Sequence, residues 1–394
     1  MSSYALILDI LVLIVCAKIL GEVFDKLSLP RVIGEVLAGI ILGPSILGFI
    51  SPSSELHILA LIGVIFFMAS AGLEIDLRRL LMHFKEGFIV ATMGVLIPFT
   101  LGMLIGYLYN LSFIQAYALA TCLSITAIGL SIRVFMDLKM LKSRVGLTVV
   151  NAAVIDDVIG LVLMSIGFSL ALGEVRTFHV AAFSFSTCTI FIVLSFLLGI
   201  RLCKSVRFRI MIGKFLRLGS SKSISLQLAI SIILILLFSL LARSATLHEI
   251  VGAFVAGMIL RSLLPEEVEK EILDFTFAFF ALLFFAYMGI ESDLRAIVVI
   301  SDMVIMIVVF AFIGKILGGF MGALLSGLSI EESITTGIAM NSRAAVELSI
   351  ARTFYILGIF NIELFSAIIL MSAITSISTP IILKITVKSL LRRR

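Results

Sequence analysis

The sequence predicts an all-α integral membrane protein of about thirteen transmembrane helices, arranged as two inverted five-helix repeats whose broken helices cross. Three observations predict it: the balance of apolar and charged residues, the recurrence of apolar windows of bilayer length, and matched motifs a fixed distance apart. Of the 394 residues 61% are hydrophobic and 14% charged, and the mean hydropathy is +1.24. An average soluble domain carries about 25% charged residues. A soluble fold needs polar side chains to cover its surface, so a chain of this balance is dissolved in lipid.

A hydrocarbon core takes roughly 20 apolar residues of helix. Windows of that length lie near residues 4–21, 31–50, 56–73, 86–109, 114–136, 145–172, 178–202, 224–243, 248–264, 272–290, 297–325, 330–358 and 361–388. The first, Tyr4 to Leu20, follows no basic residue and precedes no small-residue cleavage site, so it is read as a retained span. Loop charges then orient the chain. Arg78, Arg79 and Lys85 follow the third span, Lys139, Lys142 and Arg144 the fifth, Lys204 to Lys222 the seventh, and Leu391-Arg392-Arg393-Arg394 the last. All fall on one side, which the positive-inside rule makes cytoplasmic, with the N-terminus outside the cell membrane. The formal net charge of +5 is therefore a topology signal rather than a nucleic-acid surface. The cysteines Cys16, Cys122, Cys188 and Cys203 lack paired short spacing and read as small hydrophobes.

The repeat appears in the motifs. Gly34-Glu35-Val36-Leu37-Ala38-Gly39 resembles Gly252-Ala253-Phe254-Val255-Ala256-Gly257, an offset of 252 − 34 = 218. Gly72-Leu73-Glu74-Ile75-Asp76-Leu77-Arg78 resembles Gly289-Ile290-Glu291-Ser292-Asp293-Leu294-Arg295, an offset of 289 − 72 = 217. On the span count the second copy starts an odd number of spans after the first and is upside down in the membrane. The repeats are read as residues 31–172 and 248–388 of a single transporter unit, 1–394. Inverted repeats characterise secondary transporters, whose substrate sits near the midplane between discontinuous helices. Small and hydroxylated residues, Leu123-Ser124-Ile125-Thr126-Ala127-Ile128-Gly129, interrupt the fifth window, and adding the offset lands on Asn341-Ser342-Arg343-Ala344-Ala345-Val346-Glu347, also irregular. Two broken helices are expected to cross there, their termini offering partial charges to an ion. Ser124 and Thr126 serve equally well as ordinary back-bonding hydroxyls or as part of that ion site.

The strongest local signal is Asp156-Asp157 at the centre of the sixth window. An acidic residue there costs about 2.5 to 3.5 kcal/mol even on a lenient insertion scale. Adjacent helical residues diverge by about 100° around the axis, so the two carboxylates need different partners. One is expected to face a water-filled cavity and take a cation or protons, the other to find a buried counter-charge. Lys315, within Gly314-Lys315-Ile316-Leu317-Gly318-Gly319 in the eleventh window, is the candidate, glycines at that spacing letting helices approach closely; the alternative for Lys315 is snorkelling to the interface. A carboxylate pulled one way by burial and a like charge and the other by an ammonium can hold a hard monovalent cation or protons, not both. That competition is the physical basis of exchange. Arg133, Arg343, Glu347 and Glu35 are the remaining intramembrane charges and read as supporting residues, with Arg343 and Glu347 spaced to pair on one helix face. No span holds a His-rich metal cluster or a nucleophile and base pair, so an enzyme is not expected. An ion channel would need the buried charges but not an inverted repeat.

The Asp156-Asp157 pair within Val154 to Gly160, the Gly34 to Pro44 segment and Gly314-Lys315 to Gly319 together resemble the NapA-type sodium/proton antiporters, of the monovalent cation:proton antiporter family that includes the Kef potassium-efflux systems. The likeness spans essentially the whole chain. It implies the NhaA/NapA-like antiporter fold, a dimerisation domain, a core domain carrying the crossed helices, elevator-like alternating access and a homodimer. It implies Asp157 as the principal Na+-binding carboxylate, Asp156 as the partner of Lys315, and Thr126 as part of the unwound crossover. Two adjacent aspartates are the family pattern associated with electrogenic exchange of Na+, with Li+ as a further cation, for protons; a K+/H+ antiporter or K+-efflux protein is the alternative. No cofactor is implied beyond the transported ions. Where relatives often place Glu two residues after the Arg, here Arg343 is followed by Ala344 and Ala345, and the acid comes at Glu347. The C-terminal nucleotide-binding domain of Kef-type relatives is not expected, because the chain ends after its last span.

Overall fold

In a computed structural model of the chain, residues 3–27, 29–172, 186–187, 190–191, 194, 197, 224–245, 247–261, 263–292, 294–296, 301–343 and 345–393 are described. The predicted seventh span at 178–202 and the basic linker from Lys204 to Lys222 fall almost wholly outside them, as do Asp293 and Ala344 of the repeat motifs. The helices are α1 Ser3–Lys26, α2 Arg31–Leu42, α3 Ser54–Glu74, α4 Leu77–Met82, α5 Phe84–Leu108, α6 Phe113–Ser124, α7 Gly129–Asp137, α8 Arg144–Leu172, α9 Ile224–Ser244, α10 Glu249–Arg261, α11 Glu266–Phe275, α12 Ala281–Glu291, α13 Asp302–Leu325, α14 Ile330–Met340, α15 Ala345–Ile356 and α16 Ile362–Arg393. No strand occurs among the described residues. Among the described residues, eight stretches are long and apolar enough to cross a membrane, two of them (Phe113–Asp137 and Glu266–Glu291) formed by consecutive helices.

Several predicted windows end early or break. The window at 31–50 is helical only to Leu42, because Gly43 takes an extended conformation ahead of Pro44 and proline disfavours helix in the residue before it. The window at 248–264 yields the thirteen residues of α10. The fifth window splits into α6 and α7, and the twelfth into α14 and α15. Between α11 and α12 the chain widens into a π-helical turn, Thr276–Phe280, the kind of bulge that relieves a helix of one extra residue.

Two compact units are distinguished: Met1–His57, His83–Ala182 and Phe285–Arg394 form one, Ile58–Met82 and Phe183–Phe284 the other. In the first, Ile105, Leu119, Ile307, Phe354, Ile368 and Met371 are part of a buried apolar cluster from α5, α6, α13, α15 and α16. Here α2 lies tight against α1 and α12: a methyl group on Gly34 would come 2.4 Å from the Leu20 carbonyl oxygen, and one on Gly39 1.8 Å from that of Ala286. In the second unit, Phe66 stacks on Phe280 with ring centroids 4.6 Å apart. Its α10 is seated likewise, with a methyl on Gly252 falling 2.1 Å from the Phe238 carbonyl oxygen and one on Gly257 2.1 Å from that of Ala69. Arg261 ends α10 by donating to the carbonyls of Leu73, at 2.9 Å, and Glu74.

Candidate functional site

Helix α6 opens with a capping box, Ser112 and Gln115 each closing on the other's backbone N–H. It stops at Ser124, after which Ile125 is extended. The last carbonyls of a helix have no partner of their own and carry partial negative charge, and in α6 two buried cations take them. Arg343 donates to the carbonyls of Cys122, at 2.9 Å, and Leu123, with those of Ile125 and Ala311 farther off at 3.5 Å. Lys315 donates to the carbonyl of Ser124.

The same ammonium meets Asp156. Lys315 Nζ lies 3.2 Å from Asp156 Oδ1, both side chains wholly buried, while Asp156 Oδ2 accepts the Thr126 backbone N–H at 2.8 Å. Close packing lets Lys315 sit so deep: α13 meets α5 through Gly318, where a methyl would come 2.6 Å from the Met93 carbonyl oxygen. One residue on, Asp157 is half-buried and makes no hydrogen bond or ion pair among the described residues. Thr126 is 3% exposed; its hydroxyl, within reach of Asp156, closes no hydrogen bond of acceptable geometry.

The second break is fastened to the first. The Ala127 N–H donates to the Ser342 carbonyl at 3.0 Å, and the Ser342 hydroxyl returns a bond to the Ala127 carbonyl at 2.8 Å. Behind it, α16 presents hydroxyls: Ser376 donates to the Arg343 carbonyl at 2.7 Å and Thr379 to that of Asn341 at 3.3 Å.

A family model described as "Sodium/hydrogen exchanger, transmembrane" matches residues 10–389. The chain belongs to that family. Among similar proteins, the probable Na+/H+ antiporter GerT of Bacillus cereus is 29% identical over 95% of this chain and 98% of its own length. The Na+/H+-K+ antiporter GerN of the same organism is 29% identical over 96% and 95%. The structure of the sodium proton antiporter MjNhaP1 from Methanocaldococcus jannaschii covers 98% of this chain and 97% of its own at a TM-score of 0.65 and 17% identity, a likeness of fold.

The structure of this family member brings Asp156, Lys315, Thr126 and Arg343 to one crossing and leaves other expected residues elsewhere. Ser124 reaches the site through its carbonyl, since its hydroxyl back-bonds to the Ala120 carbonyl at 2.7 Å. Arg343 and Glu347 interact electrostatically, as their spacing suggested, while the guanidinium's hydrogen bonds run to the α6 carbonyls. Glu347 is buried and accepts a bond from Ser372 at 3.1 Å. Glu35 and Arg133 form a buried ion pair at 3.6 Å between α2 and α7, with Asp137 3.4 Å from the same guanidinium. Asn341 and Ser342 lie in the expected second break without an individual role being expected of them, and the hydroxyls of the last helix were not expected at all. The latter had a signal: Ser372, Thr375, Ser376 and Thr379 recur at helical spacing within an apolar window.

Proposed function

We propose that the chain is a secondary antiporter exchanging Na+ for protons across the cell membrane, accepting Li+ as well, with Asp157 as the carboxylate the two ions contest. The observation that carries this reading is the inequality of two adjacent carboxylates: Asp156 is buried with its oxygens on Lys315 and the Thr126 N–H, while Asp157 is half-buried and uncommitted. A mid-helix carboxylate that makes no hydrogen bond or ion pair among the described residues can bind a cation or a proton. Thr126, just beyond α6, brings a neutral hydroxyl oxygen within reach of the adjacent Asp156. A cation arriving there adds positive charge near Lys315, weakens the pull of that ammonium on Asp156, and favours proton loss from the site. Two carboxylates and one ammonium give the site enough titratable charge for electrogenic exchange.

The finer architecture belongs to the same proposal: thirteen spans, inverted five-helix repeats over 31–172 and 248–388, N-terminus outside, and a homodimer moving by an elevator step. Mirrored contacts support the repeat. The Gly34 to Leu20 approach recurs 218 residues on as Gly252 to Phe238, and Gly39 to Ala286 returns as Gly257 to Ala69 with the halves exchanged. The Glu35–Arg133 pair fits a structural role at the cytoplasmic end of the core.

The test is proton movement in proteoliposomes on addition of Na+, Li+ or K+ under an imposed pH gradient. Wild type should move protons with Na+ and Li+, and Asp157→Asn should not. Equal or better rates with K+ would turn the reading to a K+/H+ antiporter, and Na+ flux without proton movement would turn it to a channel.

A further inference from the structure

Asn341 closes α14 within the second break and is 1% exposed. Its side-chain orientation follows from its neighbour. Thr379 has one hydroxyl proton, given to the Asn341 carbonyl at 3.3 Å, and so meets the Asn341 side chain as an acceptor, taking a bond from Nδ2 at 3.2 Å. The reverse orientation would leave two amide N–H donors stranded. Oδ1 therefore points away from Thr379, and it has no hydrogen-bond partner. A buried acceptor left without a donor carries an uncompensated desolvation cost, and one in a native fold calls for an explanation such as a ligand or ion that supplies the missing contact. Asn341 is next in sequence to Ser342, which is bonded to Ala127, which follows Thr126. The crossing thus carries a neutral oxygen on each broken helix, the Thr126 hydroxyl within reach of Asp156 on the first and the unpartnered Asn341 Oδ1 on the second.

We propose that Asn341 Oδ1 is a ligand of the transported cation, a neutral oxygen delivered by the second broken helix opposite the carboxylate-bearing α8. An amide oxygen is a hard donor suited to a hard cation and changes no charge when protons replace it, so it sets affinity and selectivity without entering the proton count. This rests on the cation/proton exchange reading above.

The experiment measures half-saturating Na+ and Li+, maximal rate and thermal midpoint for reconstituted wild type, Asn341→Ala, Asn341→Asp and Asp157→Asn. Asn341→Ala should raise half-saturating Na+ at least fivefold and alter the Na+ to Li+ ratio. Asn341→Asp, of the same shape with added charge, should lower half-saturating Na+ at alkaline pH and steepen its pH dependence. Unchanged half-saturating Na+ and Li+ in Asn341→Ala, with or without a lowered thermal midpoint, overturns the assignment and leaves a structural amide or a bound water. If Asn341→Ala fails to fold, Asn341→Asp with wild-type half-saturation at every pH overturns it equally. An inactive wild type, or an active Asp157→Asn, defeats the exchange reading instead, so the two failures are distinguishable.

Discussion

Asp156 and Asp157 are chemically identical and adjacent, and the helix makes them unequal. About 100° of rotation sends one carboxylate to Lys315 and leaves the other half-buried, with no hydrogen bond or ion pair among the described residues. If the second is where ions compete, lowering pH below its titration point should raise half-saturating Na+ by about tenfold per pH unit, since each bound proton excludes one cation. Activity at fixed Na+ therefore falls on the acid side, and Asp157→Asn removes the dependence along with transport. Lys315 is held more strictly than the site it serves. Lys315→Ala strands a buried carboxylate, a loss of about 3–5 kcal/mol, which should appear as a lowered thermal midpoint in detergent. Adding Asp156→Asn should recover much of it, because the second change removes the stranded charge; a double variant no more stable than Lys315→Ala would contradict the pairing as a source of stability.

Among the elements, α6 shows what holds a broken helix broken. Its final carbonyls would otherwise face a membrane interior without donors, and Arg343 and Lys315 supply them. Arg343→Ala should therefore destabilise the protein more than truncation of a lipid-facing residue such as Ile313, by about 3 kcal/mol or more, and Arg343→Lys should recover only part of this because one ammonium cannot span the Cys122 and Leu123 carbonyls in a planar fork. Comparison of unfolding midpoints for the three variants decides it. The breaks themselves could be read from the sequence, because hydroxyls, an arginine and an asparagine interrupted apolar windows at 123–129 and 341–347. The destination of Arg343 could not. Four-residue spacing to Glu347 suggested a partner along the helix, while the acceptors lie on α6, more than two hundred residues earlier, where no local pattern reports them. The early end of α2 was legible in Gly43-Pro44 but was outweighed by the apolar run continuing to Ile50.

For the whole molecule, loop charges and repeated close contacts make the remaining predictions. A cysteine placed before α1 should react with a membrane-impermeant reagent in intact cells, and one near Arg393 only after permeabilisation, if Lys and Arg mark the inner face as proposed; the opposite pattern would reverse the topology. Electrogenic exchange should respond to an imposed potential, each net charge moved being worth about 2.3 kcal/mol per 100 mV. The mirrored glycine contacts gave a weak trace in sequence, two six- or seven-residue likenesses, yet in space they specify which backbone each glycine must touch. Sequence similarity decays faster than contact register, since any side chain may vary while the places that tolerate none stay put. The junction of Ala127 with Ser342 has a related meaning for diversification. Its first bond joins two main-chain groups, so the linkage does not depend on which side chains stand at the flanking positions 126 and 341. A lineage, or an engineer, could exchange the side chains at these two positions while the main-chain link between the breaks stayed intact.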